Sequence, residues 1–188
     1  YEGLYISSVD DDSTVTVQNN TIDENNTSEN SDTGGIYLGP VNQSISTVNV
    51  YDNSISGNTG RGFYVNLVQD STLNISGNIV NNNTTQGIYI DQASGSEITI
   101  GEGNTISGHS DAGIYLNSVS GVNITGNNIQ NNGVESGTTG IVVNSAAGNQ
   151  AHQNLIANNG SVGVQNNDEV NFFDATQNFW GDPTGPFH

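Results

Sequence analysis

Apolar and polar residues alternate in short runs along the whole chain, and the runs return at intervals near 26 residues. Glycines at Gly3, Gly35, Gly62, Gly87, Gly113, Gly140 and Gly163 each open a unit. Behind them come Leu4-Tyr5-Ile6, Ile36-Tyr37-Leu38, Phe63-Tyr64-Val65, Ile88-Tyr89-Ile90, Ile114-Tyr115-Leu116, Ile141-Val142-Val143 and a degraded Val164-Gln165-Asn166. Alternation with period two predicts a short strand with one face buried and the tyrosines on the other. A second alternating pair follows in most units: Val15/Val17, Val48/Val50, Leu73/Ile75, Ile98/Ile100 and Val122/Ile124. Shortly after it an asparagine precedes a third apolar position, at Asn20, Asn53, Asn78, Asn104, Asn127 and Asn154. No segment sustains a 3.6-residue period, so helices are not expected.

A unit of three such strands cannot bury its apolar face alone, but stacked units can, each strand pairing in parallel with its equivalent one turn away. The predicted fold is all-β: a single-stranded, right-handed parallel β-helix (β-solenoid) of about seven coils with three short strands each. At about 4.8 Å per coil it would form a rod of roughly 35 Å. The recurrent asparagines are expected to sit in left-handed backbone conformations at sharp turns, and to stack as a ladder of amides along the axis. Repeats are assigned to residues 1–178. Residues 179–188, rich in aromatics, are expected to cap the last coil, in line with the degraded seventh strand.

These units resemble the repeats of the pectin-lyase-like β-helix superfamily, in which an asparagine ladder occupies the tight turn between the second and third strands. "NFWGDPTGP" at 178–186 resembles the Asn-aromatic-Trp-Gly…Gly-Pro ending of many secreted or surface β-helix proteins. The resemblance implies the fold. It leaves the activity open, because that superfamily spans lyases, hydrolases, adhesins and structural surface proteins.

Composition narrows the partners. The net charge is −18, with 19 acidic residues and a single Lys or Arg, Arg61. The imbalance comes from missing cations rather than surplus carboxylates. One cation cannot build the basic patch that nucleic acid or an anionic membrane surface requires. Polyanionic substrates would be repelled as well. There is no Cys, hence neither a disulfide framework nor a thiolate metal site. No apolar window is long enough to insert in a membrane, and Tyr1 reads as the start of a mature or excised product. Asn-x-Ser/Thr sequons at Asn19, Asn25, Asn26, Asn42, Asn74, Asn82, Asn83, Asn123 and Asn159 are candidate glycosylation sites. These features point to an extracellular or cell-surface location.

Candidate chemistry gathers on the first strand of each unit. Tyr5, Tyr37, Tyr64, Tyr89 and Tyr115 would form a ladder edged by a polar row that includes Asn66, Asp91, Asn117 and Asn144. A row of aromatic faces beside amides is a candidate platform for neutral glycans, set against stacked tyrosines that simply stabilise the strands. The resemblance implies that a uronate lyase would use a Lys or Arg base with calcium, and a hydrolase clustered aspartates. Arg61, near Asp91 and Asp111 by coil position, is the sole candidate base. Asp70, Asp91, Asp111 and Glu135 read as isolated loop acids. His109, His152 and His188 lack metal-ligand spacing, and Asp10–Asp12 is a weak candidate for calcium; no other cofactor is expected.

The sequence therefore reads as an extracellular, non-catalytic structural module of a surface protein, sheath or filament, or an adhesin-like spacer. The expected partners are an upstream domain or neighbouring copies, because the strand at Leu4–Ile6 would expose an open edge. The alternative is a polysaccharide-active enzyme, or carbohydrate-binding fragment, working on the tyrosine face.

Overall fold

Each repeat folds into one turn of a β-solenoid. The computed structural model describes residues 2–25, 34–41, 45–145 and 147–181. Nineteen strands and no helix occur among them. One seven-stranded sheet stacks β1 (Leu4–Ile6), β4 (Ile36–Leu38), β7 (Phe63–Gln69), β10 (Ile88–Ser94), β13 (Ile114–Val119), β16 (Ile141–Val143) and β19 (Val164–Asn166) in that order. The second sheet stacks β2 (Thr14–Gln18), β5 (Thr47–Tyr51), β8 (Thr72–Ser76), β11 (Glu97–Ile100), β14 (Val122–Thr125) and β17 (Gln150–His152). The third stacks β3 (Thr21–Asp23), β6 (Ser54–Ser56), β9 (Ile79–Asn81), β12 (Thr105–Ser107), β15 (Asn128–Gln130) and β18 (Leu155–Ala157).

Every pairing between these strands is parallel, and equivalent residues face each other: Tyr37 pairs with Tyr64, Val48 with Leu73, Ile106 with Ile129. The coil is right-handed, the hand that parallel crossovers almost always take. Six turns carry all three strands. The seventh keeps β19 and is continued by single bridges from Asp174 to Gln150 and from Phe179 to Leu155. Pairing thus runs on into the aromatic tail, and Trp180 packs against the core. The described part of the tail, through Gly181, continues the solenoid. Residues 182–188, including Phe187, lie outside the described residues.

The core is a continuous column of Ile, Val and Leu from all three sheets, with Phe63 its largest member. The glycine that opens each unit is fixed by the closeness of successive coils. A Cβ on Gly35 would lie 2.1 Å from the Gly62 carbonyl oxygen, and one on Gly87 would lie 2.6 Å from that of Gly113.

The coils turn at corners that open on a residue with positive φ, and at most of them the next side chain receives hydrogen bonds from the neighbouring coil, Ser71 and Val122 being exceptions. At the corner between second and third strands the positive-φ positions are Asn19, Asp52, Gly77, Gly103, Gly126, Gln153 and Gln177. Each directly precedes a ladder asparagine. The expectation that the ladder asparagine itself adopts the left-handed conformation is therefore corrected by one residue. The turn must reverse before the amide can point inward, so the strain falls on the preceding position.

Candidate functional site

The interior ladder runs through Asn20, Asn53, Asn78, Asn104, Asn127, Asn154 and, as a rung the repeat pattern had not included, Asn178. From Asn53 onward each rung's Oδ1 accepts from the amide of the preceding rung; Asn53 Oδ1, for example, accepts from both the N–H (3.0 Å) and Nδ2 (2.9 Å) of Asn20. Its Nδ2 donates to carbonyls at the mouth of its own turn and one coil away, as Asn78 does to Ser76 and Val50.

A second ladder, five residues further along each coil, went unrecognised in the sequence. It comprises Asn25, Asn58, Asn83, His109, Asn132 and Asn159. Its positive-φ partners are Glu24, Gly57, Asn82, Gly108, Asn131 and Asn158. A third corner uses hydroxyls, Ser13 N–H donating to Ser46 Oγ and Ser71 N–H to Ser96 Oγ, and then an amide at Asn149.

The second ladder revises the sequons. Asn83 is buried, its Nδ2 bonded to the Ile55 carbonyl (3.2 Å) and its Oδ1 receiving from Asn58. A glycan on that nitrogen would displace its bond to Ile55 and would have to enter the packed coil. The Nδ2 groups of Asn25 and Asn159 are likewise engaged, with Asn58 Oδ1 and the Ile129 carbonyl. Asn19 and Asn82 sit exposed at turn positions, and Asn74 and Asn123 project half-buried from the second sheet. Asn26 and Asn42 lie outside the described residues.

On the outer face of the first sheet the five tyrosines stack as expected. Centroid separations are 4.7 Å for Tyr5–Tyr37, 5.5 Å for Tyr37–Tyr64, 5.5 Å for Tyr64–Tyr89 and 5.0 Å for Tyr89–Tyr115. The first and last pairs are nearly parallel, at 9° and 10°. In those two pairs the rings turn their faces toward one another along the axis, while the two middle pairs are tilted by 42° and 40°. Face-to-face overlap at one coil's rise is the arrangement that equivalent rotamers on paired strands produce.

Arg61 covers what the tilted middle pair leaves open. Its guanidinium lies 4.9 Å from the Tyr64 centroid and 4.1 Å from that of Tyr89. Its Nε donates to Gln86 Oε1 at 3.1 Å, and Gln86 Nε2 in turn donates to Asp111. Asp91, expected in a loop, lies in β10 and accepts from Asn117 Nδ2 at 2.9 Å. The polar row continues as an outer amide ladder, Asn167 donating to Asn144 and Asn144 to Asn117. Burial and the Asp91 carboxylate push the Tyr89 phenol up to about 12, with Arg61 opposing them.

The histidines and acids lie apart. His109 is a rung, with both ring nitrogens bonded to backbone. His152 Nε2 stands 3.1 Å from Asp174, whose carboxyl is held below its ordinary range first by the Thr176 N–H, next by the Thr176 hydroxyl and then by His152. His188 is outside the described residues. Asp10–Asp12 are exposed, and no group of three His, Cys, Asp or Glu able to hold a metal ion occurs among the described residues. Calcium at Asp10–Asp12 thus finds no support. No helix among the described residues is long and apolar enough to cross a membrane.

No curated protein and no solved structure matches this chain. Over residues 2–185, however, the chain matches the family described as periplasmic copper-binding protein (NosD), and it belongs to that family.

Proposed function

We propose that this chain is a non-catalytic structural module working outside the cytoplasm, a stiff β-solenoid segment that spaces or joins larger assemblies. The periplasmic location in the family's description suits that reading. The observation that carries it is the engagement of the groups best able to do chemistry on the outer face. Arg61 is held over two tyrosine rings and bonded to Gln86, Gln86 is bonded to Asp111, and Asp91 takes the amide of Asn117. A general base must be free to approach the proton it removes. These side chains instead tie one coil to the next.

Association with further copies, or with another domain, forms part of the proposal. It is supported by the edge of β19, which pairs only with β16 among the described residues, and by the exposed side chains of Val170 and Phe172. The same family description names copper. Among the described residues the donors do not assemble a site for it: the sequence has no Cys and no Met, both ring nitrogens of His109 are taken, His152 has only Asp174 beside it, and no group of three His, Cys, Asp or Glu occurs.

Incubation with uronate and neutral polysaccharides, followed by product analysis, tests the non-catalytic reading. No turnover is expected. Unsaturated product that disappears in Arg61→Ala would overturn the proposal in favour of a lyase.

A further inference from the structure

His109 is the one rung of the second ladder that is not an asparagine. Asn83 N–H can only donate, so His109 Nδ1, 3.2 Å away, must be the unprotonated nitrogen. Val80 O can only accept, so Nε2, at 3.0 Å, must carry the proton. The backbone on either side thus fixes one neutral tautomer, which reproduces the acceptor and donor of an asparagine amide. Asn83 itself shows the parallel, with Oδ1 accepting from the Asn58 N–H and Nδ2 donating to Ile55 O. The ring is 2% exposed and pressed against Gly87, where an added Cβ would lie 2.6 Å from Nε2.

We propose that His109 is a pH-operated rung: neutral, it locks the corner between the third and fifth coils, and on protonation it releases that corner. A second ring proton would put two donors face to face at Asn83 and leave a cation in a buried site. The acidic side chains around this corner do not compensate. Glu135 lines the groove beside His109 without bonding the ring, and Asp111 accepts from Gln86. Among the described residues no titratable side chain bonds the ring.

Burial pushes the His109 pKa from 6.5 down to about 4. The unfolded chain therefore takes up this proton near 6.5 and the folded chain only near 4. Stability from the neutral rung is complete above about pH 6.5 and declines as pH falls through that window.

The test compares wild type with His109→Asn, which restores the residue found at the other rungs. Urea unfolding of both is followed from pH 7 to pH 4. The wild-type unfolding constant should rise roughly 100-fold more than that of the variant, which shares all its other titrating groups, including His152 and its partner Asp174. Parallel pH profiles would overturn the proposal. If the variant does not fold, an NMR titration of the wild-type imidazole decides. A His109 ring that stays neutral well below pH 6 until the fold opens supports the device, and one that titrates near 6.5 in the folded protein refutes it.

Discussion

Removing one amide from the middle of the first ladder is the most direct trial of how this solenoid holds its corners. Asn104 Oδ1 accepts from Asn78 N–H at 2.9 Å and from Asn78 Nδ2 at 3.0 Å. Its own Nδ2 donates to Ile75 O at 3.0 Å, Gly101 O at 2.8 Å and Asn127 Oδ1 at 2.8 Å. In Asn104→Ala the Asn78 side chain keeps its bonds to Val50 and Ser76, and Ile75 O keeps the Gly101 N–H. The buried Asn78 N–H has no substitute. One orphaned buried donor costs about 1–3 kcal/mol, and the lost bonds with alternative partners add about 1 kcal/mol. The expected destabilisation is thus about 2–4 kcal/mol, a melting-temperature drop of roughly 5–15 °C for a chain of this size. Asn20→Ala is the internal control. It removes an exposed rung that donates to Asn53 Oδ1 and Gln18 O, and it should cost less than about 1 kcal/mol. Thermal and urea unfolding followed by far-UV circular dichroism reads both variants. Equal losses in the two would refute the idea that the interior of the ladder, rather than turn propensity, fixes the corner.

Two further outcomes follow from the packing and the donor set. Gly87→Ala should lower stability by about 1–3 kcal/mol, because its Cβ meets the Gly113 carbonyl oxygen and the His109 ring at 2.6 Å, whereas Gly101→Ala, with 3.4 Å to its nearest neighbour, should stay within about 0.5 kcal/mol; equal melting temperatures would contradict the coil spacing. Titration calorimetry with Cu(II) should show no stoichiometric site, and a stoichiometric signal abolished by His152→Ala would show that the His152–Asp174 pair recruits a donor beyond the described residues.

How far the sequence could be read depends on what the repeat preserves. Period-two alternation at Ile88-Tyr89-Ile90 and its equivalents places those residues on strands, and the fixed place of the tyrosine after each unit's opening glycine sets the register that pairs Tyr89 with Tyr64 and Tyr115. Register fixes which side chains are neighbours but not their χ angles. The tyrosines could therefore be assigned to one row, while the turning of their faces along the axis, and the place of Arg61 over Tyr64 and Tyr89, could not.

The second ladder was legible in principle. Asn25, Asn58, Asn83, Asn132 and Asn159 each stand five residues after a first-ladder asparagine, but in a chain so rich in asparagine that spacing is easily taken for composition. His109 holds the same offset from Asn104 and breaks the pattern by residue type alone. A rung requires one acceptor aimed at the amide of the preceding coil and one donor aimed at a carbonyl beneath it. A carboxamide meets both needs at any pH. A neutral imidazole meets them only while Nδ1 is bare, and a carboxylate would supply acceptors and no donor. Position in the coil thus constrains hydrogen-bonding capacity rather than identity, which is why a search for repeated asparagines passes over the one rung whose chemistry changes with pH.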